Sequence, residues 1–348
     1  MPLGWRLLSL ASVGWQSGTS LGVSIALGAA IALGVAIALG GTAVAGSASS
    51  RDRLVSVSFN TGGRELAMIG TMRIGIGLPA AVPGADMAQI RSFAAQAEQA
   101  GFESVGVIDR LVYDNLDPLI ALAAAAACTS RIRLISTVVN VNWRANPRLL
   151  AKQISSVVRV SGGRFTAGLG MGGWPADYEA SDIAPNGQGK RFDAALAVMD
   201  QAWRSSGARP SVVLGGLAPA AIVRSAAPVS EGWVAPLFGF EVLQQGIAAA
   251  RDAWARSGRA GSPRVITARY FSLGPQADRV ADEYLQHYYG REYFTPARSD
   301  TLTSAEGVRA ELVRLADVGC TDVVLYPCSG DLDQVERLSQ ALSHAAVP

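Results

Sequence analysis

The sequence predicts a closed (β/α)8 barrel of the TIM type, with a helical insertion after the seventh strand. Two observations carry this. From Met72 onward, short apolar strands alternate eight times with helical segments. The strands are continuous apolar runs rather than alternating ones, the pattern of a parallel sheet covered by helices. Eight such units in 72–348 fit a closed barrel, whose functional sites lie at the C-terminal ends of the strands.

The strands, in order, are RIGIGL (73–78), SVGVID (104–109), IRLISTVV (132–139), RFTAGLG (164–170), SVVLGG (211–216), GWVAP (232–236), RVITARYFSL (264–273) and TDVVLYP (321–327). Helical spacing follows each of them, over 86–100, 117–128, 147–160, 190–204, 219–227, 240–257, 304–318 and from about Asp331 onward. Asp117-Pro118 and Pro147 mark helix starts, because proline is tolerated where the first N–H is unsatisfied anyway. Between the seventh strand and its helix lies the insertion. Its segment DEYLQHYYGREYF (282–294) gathers Tyr284, Tyr288, Tyr289, Tyr293 and Phe294 around His287. It reads as either a substrate lid or a subunit contact in a homodimer. His287 itself reads as a packing or surface histidine.

Residues 1–71 stand apart as a low-complexity apolar extension. No charged residue occurs from Leu7 to Ser50, and IALG recurs from Ile25, Ile31 and Ile37. Three explanations compete: a misplaced translation start, with the native chain beginning at Met72, a membrane segment over 19–46, or a processed or disordered tail. The expected location is the cytoplasm, with membrane anchoring through that run as the alternative.

Composition excludes several functions. Net charge is +2, with no basic field to gather nucleic acid. Cys128, Cys320 and Cys328 are odd in number and scattered, which argues against a disulfide framework and for a reduced compartment. His287 and His344 are the only histidines, and neither sits at metal-ligand spacing from a cysteine, so no metal site is expected. No G-x-S-x-G nucleophile elbow is present.

The stretch GGRFTAGLGMGGW (162–174) holds six glycines, with Gly168, Gly170 and Gly173 at G-x-G-x-x-G spacing. A Rossmann fingerprint follows the first strand of its unit, whereas this one follows the fourth. Asp193 is at the distance of the usual acidic partner but lies in a helical pattern. In a barrel, the same glycines reach the C-terminal rim. There Gly170, Met171, Gly172 and Gly173, with Gly215 and Gly216 from the fifth strand, are candidates to present N–H groups to a phosphate; a packing turn is the alternative. Arg144 or Arg110 is the candidate to neutralise remaining phosphate charge. Asp109, at the end of the second strand, is the candidate catalytic group, orienting a ring or relaying a proton. Its alternative is an ion pair with Arg110 or Arg144. Asn140 and Asn142 offer neutral hydrogen bonds, and Trp143, Trp174 and Trp233 are pocket walls or core residues.

The motifs MRIGIGLP, GFESVGVIDR, DPLIALAAAAACTSRIRLISTVV, NPRLLAKQISSVVRVSGGRFTAGLGMGGW, VVLGG and GCTDVVLYPCSGDLDQVERL occur in that order. Together they resemble the luciferase-like family of flavin-dependent oxidoreductases and monooxygenases, over 72–348. The resemblance implies flavin mononucleotide (FMN), or alternatively the deazaflavin F420, at the C-terminal rim. It also implies a non-proline cis peptide at Thr137-Val138 beneath the isoalloxazine, which makes both residues cofactor-contact candidates beside Asn140. Two departures stand out. The second strand usually ends in Asp-His, and here Arg110 follows Asp109. The loop after VVLGG usually supplies a hydroxyl to the cofactor phosphate, and here Ala218-Pro219-Ala220 does not. The expected activity is monooxygenation of a small organic substrate by reduced flavin and O2. A deazaflavin-dependent dehydrogenase or reductase and a non-catalytic flavin carrier are the alternatives.

Overall fold

A computed structural model describes residues 59–60, 64–65, 68–184, 186–237 and 239–343. The apolar run 19–46 and most of 1–71 lie outside the described residues. Among the described residues, no helix is long and apolar enough to cross a membrane.

Eight parallel strands close into a barrel: β1 (Met72–Gly77), β2 (Ser104–Val107), β3 (Arg133–Ser136), β4 (Phe165–Gly170), β5 (Ser211–Gly215), β6 (Gly232–Val234), β7 (Arg264–Phe271) and β8 (Asp322–Pro327). Each pairs with its sequence neighbour, and β8 pairs with β1, with Val323 opposite Ile74, to complete the ring. A two-residue strand, Met68–Ile69, folds back antiparallel on β1 and buries Ile69. Among the described residues, pairing with the barrel thus begins at Met68, just ahead of Met72.

The helices are α1 (Met87–Gln99), α2 (Pro118–Cys128), α3 (Pro147–Val160), α4 (Pro175–Ala180), α5 (Gln188–Ser206), α6 (Pro219–Arg224), α7 (Phe240–Arg256), α8 (Ala277–Ser299), α9 (Ala305–Val318) and α10 (Asp333–Ser343). Their starts follow local chemistry. Asp86, Asp117, Asn146 and Ser304 each accept a hydrogen bond from first-turn N–H groups. Proline opens α2, α3, α4 and α6. The insertion after β7 is α8, bent at Gly290, where φ is 64° and ψ is −173°. Helix α4 lies in what the sequence presents as loop.

The third strand departs from its apolar run. IRLISTVV reads as continuous, but pairing with β2 and β4 stops at Ser136. After the Thr137–Val138 peptide, which is cis, Val139–Asn140 rejoins β4 opposite Leu169 and Gly170.

Two packing layers result. Outward-facing strand residues join the helices in one large core. Inward-facing residues, among them Ile135, Val213, Val234, Ile266, Ala268, Tyr270, Val324 and Tyr326, join the inner face of α8 in a second. The barrel interior is thus filled from below and roofed by the insertion at its C-terminal end.

Candidate functional site

The C-terminal mouth is built from the loops that follow the strands. Partly exposed apolar side chains ring it: Val82 after β1, Tyr113 after β2, Val138 after β3, Trp174 after β4 and Leu237 after β6, all packed against the inner core. Tyr326 crosses the interior from β8. Its hydroxyl sits 2.7 Å from Thr137 Oγ1. Its ring occupies space left by two glycines: a Cβ on Gly77 would fall on the ring, and one on Gly106 would come within 2.9 Å of the Tyr326 hydroxyl.

Above it stands a layer of phenols. The Tyr270 and Tyr289 hydroxyls are 3.0 Å apart, and Tyr284 stacks on Tyr288 with ring centres 5.9 Å apart. Burial pushes the Tyr270, Tyr284, Tyr288, Tyr289 and Tyr326 phenols well up from their ordinary range. They are therefore neutral donors and acceptors at physiological pH. At the outer edge the Tyr113 hydroxyl meets His287 Nδ1 at 2.6 Å, which ties the loop after β2 to α8. This accounts for His287 as a packing contact of the insertion.

Asp109 is buried directly beyond β2. Its Oδ2 accepts from the Asn140 N–H at 2.8 Å and from Arg144 Nη2 at 3.1 Å, and its backbone carbonyl accepts from Asn140 Nδ2. Burial lifts its carboxyl to about 6, against the pull of Arg144 and the Asn140 N–H. Of the two arginines the sequence offers as partners, Arg144 is the one used; it also reaches Asp117 at 3.4 Å.

Arg110 has a different partner. Its Nε lies 2.9 Å from Asp177 Oδ2 on α4, and both side chains are almost wholly buried. Its guanidinium lies 3.8 Å from the Trp174 ring centre. The second Asp177 oxygen accepts from the Val112 N–H. Arg144 and Arg110, the two candidates for a phosphate counter-charge, are thus both paired with carboxylates.

The glycine loop has the packing role held as its alternative, with a partner the sequence does not name. Gly172 has φ of +84°, and a Cβ there would lie 2.1 Å from the nearest atom of the Trp143 ring. Trp143 in turn packs edge-on against Tyr178, whose hydroxyl donates to the Met171 carbonyl at 2.7 Å. Gly170 and Gly215 flank the Val138 side chain. Gly173 is exposed, and Gly216 accepts a hydrogen bond from Trp233 Nε1. Trp233 is fully buried as core, whereas Trp174 faces the mouth. The loops of Gly172-Gly173 and Gly216-Leu217 follow adjacent strands, and among the described residues their N–H groups find no acceptor. Nearby, Asn142 is buried with its Nδ2 donating to Tyr178 and Gln188, while its Oδ1 has no partner.

The structure therefore gathers Asp109, Thr137, Val138, Asn140 and the two glycine loops at one end of the barrel. Sequence reasoning missed Tyr326, Tyr270 and Asp177. Tyr270 and Tyr326 lie in strands where they read as core, and Asp177 is 67 residues from Arg110.

A (β/α)8 barrel with its functional surface at the C-terminal mouth is the class this geometry defines. The chain belongs to the luciferase-like monooxygenase family, whose profile matches residues 70–319. Members of this family are oxidoreductases, with monooxygenases and F420-dependent enzymes among them. An uncharacterised protein of Mycobacterium tuberculosis is 27% identical over 189 residues, which is 48% of this chain and 65% of the relative's length. The chain thus spans just under two thirds of that relative. An F420-dependent secondary alcohol dehydrogenase, solved with an F420-acetone adduct, superposes with a TM-score of 0.67 at 16% identity, covering 79% of this chain and 99% of its own. The oxygenating component of a diketocamphane monooxygenase from Pseudomonas putida, a type II Baeyer-Villiger enzyme solved with FMN, gives a TM-score of 0.60 at 15% identity, covering 78% and 96%.

Proposed function

We propose that this protein is an oxidoreductase that holds a flavin-type cofactor at the barrel mouth, and within that class a monooxygenase acting on a small organic substrate with reduced FMN and O2. The residues present suit such a group. Two adjacent loops, at Gly172-Gly173 and Gly216-Leu217, offer N–H donors without protein acceptors, suited to one phosphate. Val138 offers a partly exposed apolar surface at the level where a ring would rest. Asn142 Oδ1 is a buried acceptor in want of a donor. When bound, a reduced flavin supplies electrons to O2, whereas a reduced deazaflavin supplies a hydride.

The chain's own part is binding, orientation and water exclusion. Gly172, Gly173, Gly216 and Leu217 would hold the phosphate, and Thr137 and Val138 the ring. The Asp109–Asn140 bonds fix the loop after β3, and α8 with Trp174 closes the mouth to water.

The observation that carries the monooxygenase reading is the commitment of the charged groups: Asp109 to Arg144 and Asn140, and Arg110 to Asp177. Oxidising an alcohol needs a base to take its hydroxyl proton, and the pairing leaves these carboxylates engaged. One observation favours the deazaflavin-dependent reductase as a second reading. The Tyr326 phenol, held by Thr137 beside Val138, is a neutral donor suited to an oxygen that gains charge during carbonyl reduction.

Oxygen uptake and the spectrum of purified protein with FMN or F420 test the two. FMN binding with reductant-driven O2 uptake that rises with substrate supports monooxygenation. F420 oxidation without O2 uptake supports the reductase. FMN binding without either turnover leaves a carrier.

A further inference from the structure

We infer that the substrate side of the mouth selects an uncharged, largely aromatic or alicyclic organic molecule bearing a carbonyl or hydroxyl oxygen, and rejects carboxylates and phosphates. This deepens the proposed function and rests on it.

The charged groups after β2 to β6 set the electrostatics of this side of the mouth. The loops after β5 and β6, residues 216–218 and 235–237, contain no charged side chain. The segments after β2, β3 and β4 place four largely buried charged groups beside the inner core, joined in two pairs, while Asp114 and Asp117 stand exposed at the outer edge, where Asp117 also meets Arg144 at 3.4 Å. Arg110 meets Asp177 at 2.9 Å, with side-chain exposures of 7% and 0%. Arg144 meets Asp109 at 3.1 Å. A buried cation that already has its carboxylate has no net charge to offer a second anion. Admitting a carboxylate beside it would bury an unpaired charge.

Between these pairs and the Tyr113–His287 contact at the outer edge, the lining is mostly aromatic surface and hydroxyls. Trp174 is the hub. The Arg110 guanidinium covers it at 3.8 Å, and the rings of Tyr288, Tyr289 and Tyr293 surround it at 6.1, 5.8 and 5.6 Å. Trp174 is itself partly exposed, as are Val138 and Leu237. Such a surface binds rings by edge and face contacts. The polar elements are phenols: Tyr270 with Tyr289, and Tyr326 with Thr137. A neutral phenol can donate to a carbonyl oxygen or accept from a hydroxyl. A site made of apolar walls with a few placed hydrogen-bonding groups is the usual form of a small-molecule pocket.

The test uses two probes of nearly the same shape, benzylacetone and hydrocinnamate, which differ in a methyl ketone against a carboxylate, with the phenethylammonium ion as the cationic control. Binding to the full chain is measured by calorimetry, with no turnover required. Benzylacetone is expected to bind at least about tenfold more tightly than either ion, the discrimination of one buried, unmatched charge taken at its lower end. Asp177→Asn leaves Arg110 without its counter-charge, so hydrocinnamate should gain affinity and the preference should shrink or invert. Arg110→Gln leaves Asp177 unmatched, so hydrocinnamate should weaken further and phenethylammonium should gain. The two variants shift selectivity in opposite directions, so either one that folds is sufficient.

Equal or tighter binding of hydrocinnamate by the unaltered chain overturns the inference. So does the absence of benzylacetone binding, or unchanged selectivity in a folded variant. FMN and F420 binding is scored in parallel. Ketone selectivity in a protein that binds neither cofactor removes the redox reading and keeps the charge balance. Carboxylate preference in a protein that binds one of them does the reverse.

Discussion

Replacing Asp109 with asparagine separates its electrostatic cost from its hydrogen bonds. The Asp109 carboxyl stands at about 6 rather than 3.8, chiefly because burial disfavours its charged form. A folded-state pKa above the unfolded value means that the group favours the folded state most below about pH 4. That contribution is lost as pH rises towards 6, because the unfolded chain ionises first. The gap corresponds to roughly 3 kcal/mol. Asparagine cannot ionise, and its Oδ1 can still accept the Asn140 N–H. Arg144 loses one partner but keeps Asp117, and its attraction to the ionised Asp109 is already contained in the value of about 6. The stability of the wild type minus that of Asp109→Asn should therefore fall by up to about 3 kcal/mol between pH 4 and pH 7 and then level off. Urea unfolding of both proteins at half-unit intervals reads it directly. A difference curve that is flat, or that rises with pH, would refute the claim that burial outweighs Arg144 at this carboxyl.

Other consequences are as specific. Arg110→Met strands the fully buried Asp177 carboxylate, and thermal or urea unfolding should show a loss of about 3–5 kcal/mol; a loss below about 1 kcal/mol would mean that the pair is solvated. Gly77→Ala should cost about 1–3 kcal/mol by crowding Tyr326, and the cost should largely vanish in a Tyr326→Leu background, which a double-mutant cycle measures. Gly172→Val must displace Trp143 and adopt φ near +84°, so it should lower unfolding stability by about 1–3 kcal/mol along with any cofactor affinity, and wild-type stability in this variant would contradict the packing seen here. Removing residues 1–66 keeps the Met68–Ile69 strand on β1 and should leave the melting transition unchanged in calorimetry, whereas starting at Met72 should lower it.

Much of the fold was legible because its signals are local and periodic. The eight apolar runs, the prolines at helix starts and the glycines after strands each act within a few residues, so strand order and closure followed from counting. The site was legible as a region and far less as a set of contacts. Asp109 and Asn140 were candidates from their strand ends and Thr137 and Val138 from the family resemblance, and the structure brings all four to one end of the barrel. The partner of Asp109 could be narrowed to two arginines but not chosen, since the choice depends on where α4 puts Asp177. The break in the third strand was hidden because Thr137, Val138 and Val139 have the same β-branched character on either side of it. Trp143 filling the space above Gly172 left no trace, because a glycine needed for packing and one needed for a ligand look the same in sequence. The tyrosines at Tyr270 and Tyr326 read as core because an inward strand position at the barrel mouth and one in its interior share the same spacing.

Titrating FMN and F420 fluorescence with the purified full chain tests whether a flavin-type cofactor binds at this mouth. Saturable binding of one cofactor molecule per chain is expected, with FMN the tighter of the two and with competition from free phosphate-bearing fragments of the same cofactor. Failure of both cofactors to bind, with the barrel folded by circular dichroism, would contradict it.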